Sequence, residues 1–229
     1  MKVILLKHTP DPEKTVTLAA KLCYSPSAIG ELEKKVRGSS TEKFLARILK
    51  MGHLSVLEHA SFTFGIEGVS RAMTHQLVRH RLASYSQQSQ RYVDLRDFKE
   101  FIVPPSIKNN PKASKKFRDF AKTIHGFYSE LVLAGIPKED ARYILPNAAG
   151  TRIIVTMNAR ELLHFFTLRC CERAQWEIRE TATRMLSLAK KKAPFIFASA
   201  GPACVSGPCS EGDMTCGKPL RIREKFKNL

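Results

Sequence analysis

The order of elements along the chain predicts an α+β domain, a small antiparallel sheet with helical layers. Three observations predict it. Only four short segments read as strands: Lys2–Lys7, Ala60–Ile66, Phe101–Pro105 and Thr151–Met157. Apolar patterns at helical spacing are longer and more numerous than these. Strands and helices do not alternate in the regular way that a doubly wound parallel sheet needs.

Each element has a local reason. Lys2–Lys7 is a short apolar run suited to a buried strand. Asp11-Pro12-Glu13 opens a helix over 11–24, with proline in its first turn. Ser39-Ser40-Thr41-Glu42 predicts a capping box ahead of Phe44, Leu45, Ile48 and Leu49, and that helix stops near Gly52. Ala60–Ile66 alternates phenylalanine with Ser and Thr, the pattern of a half-buried strand. Ser70 can cap a helix that carries Met73, Leu77 and Val78. Phe101-Ile102-Val103-Pro104-Pro105 predicts a short strand stopped by prolines. Residues 112–134 form a long amphipathic pattern closed by Gly135, and Lys138–Leu145 a short helix ended by Pro146. Thr151–Met157 is β-branched; Asn158, with Glu161 three residues on, then opens a helix through Leu162, Leu163, Phe166 and Leu168. Gln175–Ala193 is a last helix, stopped by Pro194.

At 229 residues and 43% hydrophobic, the chain suits one domain with a substantial core. No apolar run approaches the roughly 18–20 residues of a membrane span, and Met1–Lys7 is too short for the apolar core of a signal peptide. A cytoplasmic protein is expected. Lysine and arginine number 38 against 21 acids, a net charge of +17. Such a field attracts nucleic acid, acidic membranes or phosphorylated small molecules, and composition alone does not choose. Residues 201–229 read as a loosely ordered basic tail with reduced thiols, outside a domain of residues 1–200. Cys204, Cys209 and Cys216 are separated by four and six residues and lack the short knuckle of zinc sites, so no metal is expected.

Polar groups gather in three places. The first is Gln76 through Arg91, inside an acid-free interval from Glu67 to Asp94. Arginine offers a planar fork for phosphate and carboxylate, and Ser and Gln suit a base or ring edge. The spacing of Gln76, Arg79 and His80 predicts one shared helix face. A plain arginine-rich surface turn is the alternative. The second is Gly52-His53-Leu54-Ser55-Val56-Leu57-Glu58-His59, which lacks the HExxH spacing of a metalloprotease. A capped loop with satisfied histidines explains it, with Ser55 free for a phosphate or ring. The third is Arg142 with Asn158, Arg160, His164 and Arg169. Arg169 lies on a largely apolar helix and must find a partner, an ionic one among nearby glutamates being the simplest.

These residues resemble a known family. Arg79-His80-Arg81, seven residues, then Ser89 is similar to the signature of the flavin-dependent thymidylate synthases (the ThyX family). GHLSVLEHASFTF, ARYILPNAAGTR, TMNARELLHFFTLR and AQWEI resemble its other segments, in order, across about residues 45–195. The resemblance implies the thymidylate-synthase-complementing-protein-like fold and a homotetramer whose active sites are shared between subunits. It implies methylation of dUMP to dTMP, with 5,10-methylenetetrahydrofolate as carbon donor and NADPH as reductant through bound FAD. Carried over, Ser55, Arg79, His80, Arg81, Gln87, Asn158, Ala159, Arg160 and His164 fall on flavin-contacting positions. Gln76, Leu77, Val78, Arg79, Gln87, Gln88, Ser89, Gln90, Arg91, Arg142 and Arg169 fall on dUMP-contacting positions, and Arg169 matches the catalytic arginine that activates the pyrimidine. Gln87 stands where some members carry glutamate and His164 where some carry asparagine; both can hydrogen-bond.

The implied chemistry agrees with the residues. dUMP, FAD, NADPH and folate are all anionic, and a site for them needs cations without competing acids. A thiolate route to C5 methylation needs an activated cysteine, and Cys170-Cys171 are the only thiols beside a constellation. The family route uses no enzyme nucleophile. Arg169 cannot act as a base near neutrality, so its role is electrostatic and positional. Three rivals differ in kind: a nucleic-acid-binding protein, a flavoprotein indifferent to dUMP, and a metal hydrolase built on His53, Glu58 and His59. The favoured reading has neither nucleic acid nor membrane as a partner.

Overall fold

The computed structural model describes residues 1–97 and 100–229. Four strands, β1 (Lys2–His8), β2 (Ser61–Ser70), β3 (Ala83–Gln87) and β4 (Gly150–Asn158), form one antiparallel sheet in the order β1-β2-β4-β3. The expected α+β class is what forms. The described residues also form ten α-helices, and none is long and apolar enough to cross a membrane. The chain divides into two compact units, one of residues 1–2, 66–79 and 85–154, the other of residues 3–65, 80–84 and 155–229.

The second unit holds α1 (Pro12–Leu22), α2 (Ile29–Arg37), α3 (Glu42–Lys50), α8 (Ala159–Arg169), α9 (Trp176–Lys190) and α10 (Pro219–Lys227). Its core is aromatic. The predicted alternation buries Phe62 and Phe64 of β2, while Thr63 on the other face bonds the Thr156 hydroxyl at 2.9 Å. Phe62 meets Phe197 edge-on at 5.5 Å, Phe197 meets Phe166 at 5.9 Å, and Phe166 lies 5.8 Å from Phe165. Each ring buries enough apolar surface for about 1.5–3 kcal/mol, and edge contacts add about 0.5–1.5 kcal/mol apiece. The expected capping box before α3 is not made: Thr41 precedes the helix without a side-chain cap.

Residues 201–229 also belong to this unit, and here the expectation of a loosely ordered tail differs from the structure. Ile222 and Phe226 of α10 are buried, Lys190 Nζ donates to the Phe226 carbonyl at 2.7 Å, and Arg223 Nε donates to the Cys204 carbonyl at 2.7 Å. Ile222 and Phe226, four apart, share the one buried face of this basic helix. Gly201 lies at φ 151°, and a Cβ there would come within 3.0 Å of the Phe226 ring.

The first unit holds α4 (Arg71–Leu77), α5 (Pro105–Lys108), α6 (Pro111–Leu133) and α7 (Lys138–Ala141). Ser70 caps α4 as predicted, accepting from the Met73 amide at 3.0 Å. Gly135, at φ 85°, follows the end of α6 in the left-handed conformation that suits glycine. Leu95, Tyr128 and Ala141 centre a small core, with the Leu95 amide on the Tyr128 hydroxyl. The expected strand at 101–105 shrinks to a single bridge from Phe101 to Ala149, because Pro104 and Pro105 already turn the chain into α5.

Candidate active site

The second unit builds its polar centre on α8. Asn158 is the predicted N-cap; its side chain accepts from the Glu161 amide at 2.9 Å. Glu161, Phe165 and Arg169 then follow at four-residue intervals and lie on one stripe of the helix. All three meet one imidazole. His80 is 5% exposed and Glu161 6%. The His80 Nδ1 lies 3.0 Å from Glu161 Oε1, and Arg169 Nε lies 3.0 Å from His80 Nε2. The Phe165 ring packs edge-on against the imidazole at 4.9 Å. The His164 ring, on an exposed residue, stands 5.8 Å away.

The proton positions follow from the partners. Arg169 Nε–H can only donate, so His80 Nε2 accepts and its proton sits on Nδ1, donating to the Glu161 carboxylate. The ring is neutral. Burial pushes its pKa below the usual value, Arg169 and His164 push the same way, and Glu161 opposes them. Burial also lowers the pKa of Arg169, which remains a cation at neutral pH. The glutamate partner expected for Arg169 is thus reached only through a histidine.

The remaining predicted residues of this unit are dispersed. Ser55 begins a 3₁₀ turn over Ser55–His59 and is exposed. Arg160 donates to Glu58 at 2.6 Å, and Ala159 is buried at the start of α8. Arg81 is exposed and makes no side-chain hydrogen bond or ion pair among the described residues. His53 and His59 are exposed, and no group of three or more His, Cys, Asp or Glu among the described residues could hold a metal ion.

In the first unit the expected helix face is corrected. α4 ends at Leu77 with Val78 as C-cap, so Gln76 is helical while Arg79 and His80 lie beyond it. The Tyr85 hydroxyl donates to the Leu77 carbonyl at 2.8 Å. Gln87 Nε2 donates to Thr74 and Thr151, at 3.0 and 3.3 Å. The Gln88 amide bonds the Arg152 carbonyl, and Ser89 Oγ accepts from the Arg91 and Tyr92 amides, turning the chain through Gln90. Arg91 pairs with Glu139, and Arg142 Nε donates to the Glu139 carbonyl at 3.1 Å. The acid-free interval of the sequence is therefore partly filled by acids from elsewhere. Arg79 is exposed without an ion pair among the described residues. Sequence reasoning missed Arg71, whose pKa is lowered by burial and by the nearby Arg142, and it missed β3 and the side-chain role of Glu161.

Arg79 and Arg81 are each exposed and without an ion pair among the described residues, and an exposed guanidinium of that kind fits an anionic group. Residues 4–195 match the family described as thymidylate synthase complementing protein. The chain belongs to the thymidylate synthase complementing protein family. Its relatives carry the matching name: the flavin-dependent thymidylate synthase of Geobacter sulfurreducens is 58% identical, with 100% of this chain and 99% of that protein covered. The flavin-dependent thymidylate synthase of Clostridium tetani is 49% identical, covering 99% and 97%. The crystal structure of the UMP/dUMP methylase PolB from Streptomyces cacaoi, bound with 5-Br dUMP, has the same fold, with TM-score 0.75 and 23% identity over 86% of this chain and 93% of that one. Within the family frame, the two thiols beside Arg169 are poor nucleophiles. Burial pushes the Cys170 thiol up to about 12, and it raises Cys171 as well.

Proposed function

We propose that this protein is a flavin-dependent thymidylate synthase, converting dUMP to dTMP without an enzyme nucleophile. The observation that carries the reading is Arg169. One of its N–H groups is fixed on the neutral His80, and a guanidinium with five N–H groups keeps four for a substrate. Such a fork favours negative charge on the pyrimidine carbonyls and N3, which makes C5 nucleophilic. The high pKa of Cys170 disfavours the competing thiolate route.

The rest of the reading rests on the family. Gln76, Leu77, Val78, Arg79, Gln87–Arg91 and Arg142 hold dUMP; Ser55, Arg79, His80, Arg81, Gln87, Asn158, Ala159, Arg160 and His164 hold FAD. When bound, FAD supplies, from NADPH, the hydride that reduces the methylene carbon donated by 5,10-methylenetetrahydrofolate. Arg79 and Arg81 contribute positive charge that no acid among the described residues cancels. The catalytic domain is residues 1–200, with 201–229 packed into its second unit, in a cytoplasmic homotetramer.

Tritium release from dUMP labelled at C5 tests the reading, with methylenetetrahydrofolate and FAD, with and without NADPH. Release with dTMP formation only when NADPH is present is the expected result. No release from protein that holds flavin refutes dUMP as the substrate.

A further inference from the structure

We infer that Glu161 is a positioning residue for the reaction, selecting through His80 the one imidazole tautomer that can hold Arg169 in place. The inference rests on the reading of Arg169 given above.

Glu161 stands three residues after the N-cap Asn158, where a glutamate ordinarily folds back to the cap residue's amide. Its backbone amide does take part in the cap, but its carboxylate goes to His80 instead. It is buried there with His80 as its side-chain hydrogen-bond partner among the described residues, a costly place for a carboxylate unless the arrangement serves something. The imidazole offers two tautomers. With the proton on Nδ1, the ring donates to Glu161 and accepts from Arg169. With the proton on Nε2, two N–H groups would face each other and Arg169 would lose its anchor. An obligate acceptor at Nδ1 removes the second choice. The helix supplies the frame: positions 161 and 169 are about 12 Å apart along the axis, and Phe165 between them packs against the ring's edge. A misplacement of about 1 Å at a reacting group can lower rate by roughly 10²-fold.

Protonation gives an independent readout. The titratable groups that act on His80 include Glu161, His164 and Arg169, all on α8. An imidazolium would aim an Nε2–H at Arg169, so turnover should fall on the acid side as His80 takes a proton. Glu161 draws His80 toward protonation; removing its charge while keeping an oxygen acceptor should move that acid limb to lower pH.

The test compares Glu161→Gln, Glu161→Leu and Arg169→Ala, each checked for bound flavin by its absorbance. Glu161→Gln should keep kcat within about tenfold of the parent and shift the acid limb of kcat to lower pH. Glu161→Leu should lose about 10²-fold in kcat. Nitrogen-15 resonances of labelled histidine should report an Nδ1–H tautomer for His80 in the parent and a gain of the Nε2–H form in Glu161→Leu. If Glu161→Leu does not fold, the acid limb of Glu161→Gln decides alone. An unmoved acid limb, or an Nε2–H tautomer in the parent, overturns the inference. Full turnover in Arg169→Ala instead overturns the role of Arg169, whatever Glu161 does.

Discussion

Replacing Arg169 by alanine is the sharpest perturbation of the proposed chemistry. The guanidinium has one contact in the structure and a second role under the proposed function. Its Nε–H is tied to His80 Nε2 at 3.0 Å, which fixes its orientation, and its other N–H groups remain for a substrate. Alanine removes both. Loss of a preorganised donor to developing negative charge typically costs about 10²–10³ in kcat, or roughly 2.7–4 kcal/mol. Lysine keeps the charge but loses the planar fork, so one ammonium would have to serve both His80 and the pyrimidine. Arg169→Lys should therefore fall between the parent and Arg169→Ala. Steady-state dTMP formation, with bound flavin measured on the same samples, gives both numbers. The flavin should stay in both variants. An Arg169→Ala protein that retains flavin and turns over within tenfold of the parent would refute the electrostatic role.

Three further outcomes are expected. Cys170→Ala and Cys171→Ala should each retain turnover, because neither thiol is needed and Cys170, pushed up to about 12, stays protonated near neutrality; a dead single variant would revive the thiolate route. Phe197→Ala should destabilise the fold by about 3–5 kcal/mol, since its fully buried ring touches both Phe62 and Phe166; an unchanged denaturation midpoint would contradict that packing. His80 should make stability fall with acid. Between its depressed folded pKa and the ordinary value of 6.5 the unfolded chain binds the proton and the folded chain does not, so stability is lost as pH drops through that window. One proton limits the slope to about 1.4 kcal/mol per pH unit, and His80→Gln should lack that component of the slope; equal slopes in both proteins would remove His80 as its source.

Legibility in the sequence followed periodicity. β2 and β4 carry alternating or β-branched runs, and α6 and α8 carry caps with apolar spacing, so each was readable within a few residues. β3 was not. Ala83-Ser84-Tyr85-Ser86-Gln87 alternates in burial, but its half-buried face carries Ala, Tyr and Gln with no large aliphatic residue, so the hydrophobic signal of a strand is weak; only pairing in the sheet reveals it. The strand expected at 101–105 fails for the opposite reason: its residues are apolar, but among the described residues they make one bridge before Pro104 and Pro105 turn the chain into α5. At the site, residue types were readable and pairings were not. The glutamate expected to meet Arg169 directly acts across His80, and Glu161 looked like part of a cap because its spacing from Asn158 is that of a cap. The available signal was the stripe of Glu161, Phe165 and Arg169 at four-residue steps, a carboxylate and a guanidinium too far apart on one helix to touch without a third group.

That third group has demanding requirements, and they account for a histidine between two arginines. It must offer a donor on one side and an acceptor on the other, far enough apart to face partners two helical turns from each other. Glutamine carries both functions but at one end of the side chain, and serine on a single atom. Imidazole alone among neutral side chains places them on opposite edges of a rigid ring whose carbon surface can pack against Phe165. The chain geometry then separates the three neighbours. Arg79 and Arg81 are exposed while His80 is buried, so residues adjacent in sequence take opposite electrostatic tasks. The arginines face water, where an anion can reach them. The histidine surrenders its charge to burial, and a neutral ring is the only state in which it can accept from Arg169.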